Sequence, residues 1–221
     1  MYKKVKRLAQ TRQRKNLFDN WAKTYDADLE GAETFPFIGY DTLLNDIIAY
    51  AEIEPDYEVL DLGIGTGNLA RRVPVPDDQI WGVDFSAAML AKARLVLPAA
   101  HLIQADLVGK DWLEEIDLQF DRILSAYTFH EFADAQKNKI LIKLAQNCLK
   151  KGGLIVVGDI SFQNENDLLS AWAQFVDSWD DDEYYWSAET AIKALNHSGF
   201  SVVYEQVSCC AGIYKLFWTG N

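Results

Sequence analysis

Short runs of β-branched and large apolar residues recur along this chain. Between them lie stretches in which apolar side chains return every three or four positions. The first pattern predicts buried strands and the second predicts helices with one apolar face. Strands are expected at Glu58–Leu62, Gln79–Asp84, His101–Ala105, Asp121–Ser125 and Leu154–Asp159. Their centres are almost continuously apolar, as expected of strands covered on both sides. Helices are expected near Asn68–Arg72, Ser86–Leu95, Lys110–Ile116 and Ala133–Leu149. The last is closed by Lys150, Lys151, Gly152 and Gly153, a basic end followed by glycine. Two more helices, Val5–Trp21 and Tyr40–Ala51, precede the first strand. Alternation of this kind predicts a doubly wound α/β sheet.

The rhythm changes towards the C-terminus. About forty residues after the fifth strand read as two helices joined by an acidic, aromatic loop. Ser201–Val207 and Ile213–Trp218 then read as strands separated only by SCCAG. A parallel crossover needs about a dozen residues, so this pair is expected to be an antiparallel hairpin. The expectation is a seven-stranded, mostly parallel, Rossmann-like sheet with an antiparallel C-terminal strand and helices on both faces. Residues 1–221 are read as a single domain. Within it, 1–52 form a helical cap, 53–160 a cofactor-binding core and 161–198 a lid or substrate segment.

Hydrophobic residues make up 49% of the 221, enough for a real core. Every apolar run is far shorter than the roughly 18 residues of a membrane span, and no signal peptide is evident. Cys148, Cys209 and Cys210 lack Cys-x-x-Cys spacing and read as reduced thiols, so a cytoplasmic location is expected. The net charge of −12 argues against nucleic acid as a partner. Yet Lys3, Lys4, Lys6, Arg7, Arg12, Arg14 and Lys15 stand together with no acid among residues 1–18. Such a segment is expected to fold back on an acidic body, with a nucleic-acid or membrane arm as the alternative.

Candidate chemistry begins at YEVLDLGIGTGNL, residues 57–69, a strand breaking into a glycine turn. A nicotinamide fingerprint needs G-x-G-x-x-G, whereas Gly63, Gly65 and Gly67 are followed by Asn68. A phosphate loop needs a Gly-Lys pair that is missing here. Instead, acids stand at successive strand ends: Asp61, then Asp84, 21 residues after Gly63, then Asp106 after 22 more. In open α/β sheets ligands bind outside the carboxyl ends of the strands. Three acids there repel a pyrophosphate and suit a cationic nucleoside. S-adenosylmethionine, with its sulfonium and ammonium, is such a ligand. Asp84 is placed to accept from ribose hydroxyls and Asp106 from an adenine amino group. Each acid taken alone is also compatible with a helix cap or a solvated loop.

The chain resembles the class I S-adenosylmethionine-dependent methyltransferases over roughly residues 16–160. VLDLGIGTGNL is similar to the first family motif, IWGVDFSAAMLAKAR to the second and IQAD to the third. FDRILSAYTFHEF and LKKGGLIVVGDISF resemble the fourth and fifth strand regions. DNWAKTYD, YTFHEF and VVGDISF together resemble small, uncharacterised bacterial YrrT-like methyltransferases. The resemblance implies a cofactor site at Tyr25, Asp61, Gly63, Gly65, Gly67, Asp84, Phe85, Asp106 and Leu107, with S-adenosyl-L-methionine as cofactor. It also implies a small-molecule acceptor. Ile64 departs from the proline or cysteine that family members often carry there.

Methyl transfer to an activated carbon needs alignment and dryness more than a reactive side chain. His130 and Asp159, after the fourth strand and at the end of the fifth, are the candidate catalytic residues. His130 is read either as a base or orienting group or as a packing residue at a helix start. Asp159 is read either as its neighbour at the rim or as a cap. Tyr25 either closes over the cofactor or packs the N-terminal helix. Glu131 reads as a first-turn helix acid. DSWDDDEYYW, residues 177–186, is read as a lid for a cationic acceptor or as a solvated loop. Three scattered histidines with no cysteine cluster lead to no expected metal. The leading reading is a small-molecule methyltransferase. Alternatives are a non-catalytic protein that binds S-adenosylmethionine or S-adenosylhomocysteine, or a nicotinamide-dependent oxidoreductase. A homodimer is left open.

Overall fold

The computed structural model describes Arg14, residues 17–109 and residues 112–220. A twisted sheet forms its centre. In chain order its strands are β1 (Val59–Leu62), β2 (Ile80–Asp84), β3 (His101–Gln104), β4 (Phe120–Ala126), β5 (Leu149–Phe162), β6 (Trp186–Ser187), β7 (Phe200–Gln206) and β8 (Ala211–Trp218). The spatial order is β3-β2-β1-β4-β5-β8-β7, and the two-residue β6 pairs only with β5. Strands β1 to β5 run parallel, while β8 is antiparallel to both β5 and β7. The expected reversed strand is therefore β8, and β6 is an eighth strand too short to show as a sequence pattern.

Alternation along each strand sends neighbours to opposite faces. Val59, Leu124, Val156 and Ile160 pack with Leu43, Leu44 and Ile47 of α2 (Tyr40–Ala51), on the same side as Leu90 of α3 (Ala87–Val96). Leu60, Leu62, Ile123, Ile155 and Val157 pack on the other face. Their partners there include Ile140, Leu141 and Leu144 of α4 (Asp134–Asn147) and Leu195 of α6 (Ala188–His197). Two further helices are α1 (Tyr25–Leu29) and α5 (Glu165–Gln174). Two fully covered faces explain the unbroken apolar strand centres.

Several local expectations change. Residues Ala70–Arg72 and Trp112–Glu115 form 3-10 turns rather than α-helices, and Lys110 lies outside the described residues. Of the Val5–Trp21 helix, only Arg14 and residues 17–21 are described, all helical. The basic and glycine-rich stretch at 150–153 does not end a helix. The helix stops at Asn147, and the stretch joins the start of β5 where the register with β4 shifts. The pairing passes from Phe120 with Leu149 to Arg122 with Leu154, so residues 150–153 form the bulge between them. Ile64 is buried, with its Cδ1 only 2.3 Å from where a Cβ on Gly82 would stand. The larger residue is accommodated by a glycine on the adjacent strand.

Candidate active site

The C-terminal ends of β1, β2 and β4 open into a cavity of about 800 Å³. One end is made by the glycine turn after β1. The Gly63 and Ile64 amides donate to the Val83 carbonyl at 2.8 and 3.1 Å, which folds the turn back over β2. Gly63 and Gly65 are left-handed and line the cavity. Gly67 is left-handed too but lies outside the lining, and a Cβ there would meet Val96 and Leu97 at 3.1 and 3.4 Å. Its smallness lets the turn pack against α3.

Asp84 is buried at the end of β2 and faces the cavity. Its Oδ2 accepts from the Gly65 amide at 2.9 Å and its Oδ1 from the Ser86 amide at 2.8 Å. A carboxylate has about four acceptor positions, so each oxygen retains acceptor capacity. Burial pushes its pKa up to about 6, against the pull of the Ser86 and Gly65 amides. Phe85, Asp106 and Leu107 continue the wall. Asp106 is exposed, and its Oδ1 accepts from the Val108 amide at 2.9 Å.

Asp61 lies behind the turn. It lines a smaller cleft with Tyr25, Tyr40, Gly63, Gly65 and Asn68. It is buried, and among the described residues neither carboxylate oxygen has a well-formed hydrogen bond, the nearby Ala70 amide only pulling weakly on its charge. Burial, and then the charge of Asp84, raise its pKa well above the usual carboxylate range. A buried, unpaired acid beside a second acid is costly unless a positive group joins it. Tyr25 contributes to both walls and packs edge-on against Trp21, with ring centroids 4.6 Å apart.

The other end is built by the turn after β4 and the acidic loop before β6. Tyr127, Thr128, Glu131, Phe132, Asp180 and Asp182 line it. Arg14 reaches across from the N-terminal segment. Its Nε donates to Glu131 Oε2 at 2.6 Å, its Nη2 to Glu131 Oε1 and to Glu183 Oε1 at 3.1 Å, and its Nη1 to Asp180 Oδ2 at 3.4 Å. Phe18 lies edge-on to Phe85 at 5.3 Å, so the same segment also covers the Asp84 end. Within 161–198, only Asp180, Asp182 and Tyr184 line the cavity among the described residues.

His130 and Asp159 are brought together, as neighbouring β4 and β5 require, but beneath the cavity wall rather than on it. His130 Nδ1 and Asp159 Oδ1 are 2.7 Å apart in a buried pair. Asp159 Oδ2 also accepts from the amides of Thr128, Phe129 and His130 at 3.2, 2.6 and 3.2 Å. Burial opposes charge on His130, but Asp159, Glu183 and Glu131 carry its pKa up to about 9. The pair fixes the turn that carries Thr128 and Glu131 to the wall. Sequence reasoning missed Glu131 and Arg14 as cavity residues, while Asp180 belongs to the 177–186 segment read as a lid or a solvated loop. Their only local signals were an excess of acid in one loop and of base in the N-terminal segment. His101 and His197 lie elsewhere, the first stacked on Trp81 at 4.4 Å and the second bonded to the Lys193 carbonyl.

A family model described as a methyltransferase domain covers residues 59–153. An uncharacterized methyltransferase of Anoxybacillus flavithermus is 32% identical over 203 residues, spanning 86% of this chain and 90% of that protein. The chain belongs to the methyltransferase family. A Geobacillus kaustophilus uncharacterized methyltransferase is also 32% identical, over 202 residues, with 86% and 90% covered. Among solved structures, a complex of DhpI with SAM and HEP superposes on the methyltransferase with a TM-score of 0.67 at 20% identity, covering 91% of this chain and 94% of that one. An S-adenosylmethionine-dependent methyltransferase from Clostridium acetobutylicum gives 0.65 at 17%, covering 92% and 100%. Identities this low speak to the fold. The S-adenosylmethionine implied by the sequence motifs fits the donor set: unpaired Asp61 suits a cation, Asp84 suits ribose hydroxyls, and Phe85 and Leu107 suit a flat base.

Proposed function

We propose that this methyltransferase moves a methyl group from S-adenosylmethionine to a small-molecule acceptor held at the Glu131–Asp180 end of the cavity. The observation that carries the reading is the pair of buried carboxylates, Asp61 and Asp84, on either side of the glycine turn. Arg14, the only basic residue lining the cavity among those described, stands at the far end with Glu131 and Asp180. A pyrophosphate beside Asp61 and Asp84 would meet charge of its own sign. A sulfonium nucleoside with an ammonium group would meet charge of the opposite sign.

In this reading Asp61 receives the ammonium group, Asp84 the ribose hydroxyls, and Asp106 with Phe85 and Leu107 the adenine. The bound cofactor supplies an activated methyl carbon. The protein's part is to orient the acceptor and exclude water. Tyr127, Thr128 and Phe132 form the intervening wall, and the His130–Asp159 pair holds that wall in place. The cavity volume falls within the roughly 300–1,000 Å³ usual for small-ligand sites, which supports a small acceptor. The test pairs calorimetry with a labelled-methyl transfer screen of a metabolite extract. Binding of S-adenosylmethionine over NAD, with label appearing in a small metabolite, is the expected result. Preference for NAD, or label appearing only in macromolecules, overturns the reading.

A further inference from the structure

We propose that His130, Glu131 and Glu183 form a binding site for a divalent first-row transition-metal ion, and that the Arg14 guanidinium takes its place when no ion is bound. One ligand atom from each of the three residues lies within 4.8 Å of the other two. His130 Nε2 is 3.8 Å from Glu131 Oε1 and 3.7 Å from Glu183 Oε1. Among the described residues no hydrogen bond reaches this nitrogen, although the imidazole side chain is only 8% exposed. The Nε2 edge of a mostly buried imidazole thus faces two carboxylate oxygens, with no hydrogen bond of its own among the described residues.

The surroundings hold this arrangement in advance. Asp159 grips Nδ1 at 2.7 Å, which sets the ring orientation and turns Nε2 towards the glutamates. A carboxylate on the second nitrogen is the usual support for a metal-binding histidine. The Tyr184 amide donates to the His130 carbonyl at 2.7 Å, tying the loop that bears Glu183 to the turn that bears His130. Both glutamates are mostly buried, with side chains 16% and 14% exposed. They are therefore unlike a solvated acidic patch.

The same two oxygens, Glu131 Oε1 and Glu183 Oε1, bind Arg14 Nη2. The position is already one that selects a cation. Metal bonds of about 2.1 Å place neighbouring donors about 3.0–3.4 Å apart. The two imidazole–carboxylate gaps therefore need to close by less than about 1 Å, and the longer glutamate side chains take up the rest. One imidazole nitrogen with two carboxylate oxygens suits manganese, iron or zinc better than calcium or magnesium. Glu131 also lines the cavity, so an ion here would present positive charge at the acceptor end.

The test uses the full chain, stripped with a chelator and titrated with Mn²⁺ while the free-ion paramagnetic resonance signal is followed. Saturable loss of signal at one ion per chain is expected. Glu183→Gln and His130→Gln should each weaken binding by about tenfold or more, and Arg14→Gln should tighten it by removing the competing cation. The metal site is overturned if the wild type does not bind up to millimolar Mn²⁺, or if folded Glu183→Gln binds as the wild type does. Should His130→Gln fail to fold, Glu183→Gln decides alone. Unchanged or weaker binding by Arg14→Gln overturns the exchange with the guanidinium. Because the readout is ion binding, the outcome is independent of the acceptor reading.

Discussion

Gly63 and Thr128 approach so closely that a Cβ on the glycine would stand 2.1 Å from Thr128 Oγ1. The contact joins the turn after β1 to the turn after β4 at the floor of the cavity. Thr128 Oγ1 donates in the same place, 3.2 Å from the Leu62 carbonyl and 3.1 Å from that of Ala126. Gly63 also has φ +69, a region that disfavours any side chain. Gly63→Ala is expected to lower stability by about 2–4 kcal/mol, combining left-handed strain with overpacking. Gly63→Ala with Thr128→Ala should lose less than the sum of the single changes, because only the steric part is relieved. Denaturant unfolding measures this, and strict additivity would show that the overlap does not govern the turn.

Asp84 predicts a pH dependence for cofactor binding. Its folded-state pKa of about 6 lies above the ordinary carboxylate value because the group is buried. In the proposed binding mode the cofactor's hydroxyls require the carboxylate form. Affinity is therefore expected to be flat above about pH 7 and to fall by up to about tenfold per unit below pH 6. Asp84→Asn should flatten that acid limb and lose about 1.5–3 kcal/mol of binding at neutral pH. The sign for folding is opposite. A raised carboxyl pKa contributes stability below the unfolded value, and this is lost as pH rises through the folded one. Calorimetric titration across pH 5–8 (roughly the useful range) checks the binding limb, and an acid limb surviving in Asp84→Asn would assign it to another group.

Asp159 separates positioning from chemistry. Its side chain is fully buried and accepts from three consecutive amides in addition to its contact with His130. Asp159→Ala strands those donors and should cost about 3–5 kcal/mol of stability. Asp159→Asn keeps one oxygen for the amides and should cost less. Thermal unfolding followed beside turnover distinguishes the roles. Loss of turnover in a fully stable Asp159→Ala protein would argue for a direct catalytic role instead.

Phe18 predicts how the N-terminal segment acts on the cofactor end. Its ring meets Phe85 edge-on, and both line the cavity. Phe18→Ala should weaken cofactor binding by about 1–2 kcal/mol through lost apolar contact. The change should appear mainly as faster release, with little change in the unfolding midpoint. Stopped-flow displacement measures it, and an unaltered release rate would place Phe18 outside the cofactor's cover.

The sheet was legible because its evidence is local and repeated. Five apolar strand centres separated by helical periods admit few topologies, and the short SCCAG connection allows only an antiparallel pair. The glycine turn and the acids at strand ends were legible for the same reason, since strand direction alone puts them on one edge. Segments whose backbone partners lie far away in sequence were not. Residues 150–153 form a bulge between two points where β5 pairs with β4, and β6 exists only because β5 passes beside Trp186.

Tertiary structure alone brought Arg14, His130, Glu131 and Glu183 to one place. Arg14 and Glu131 are separated by 117 residues, and Arg14 and Glu183 by 169. No spacing rule links such positions, and Arg14, Glu131 and Glu183 in isolation each read as an ordinary surface charge. The sequence determined which edge of the sheet carries the glycine turn and the acids, because both are bound to strand ends. What covers that edge depended on how distant segments fold back over it, where buried charges of opposite sign must find one another.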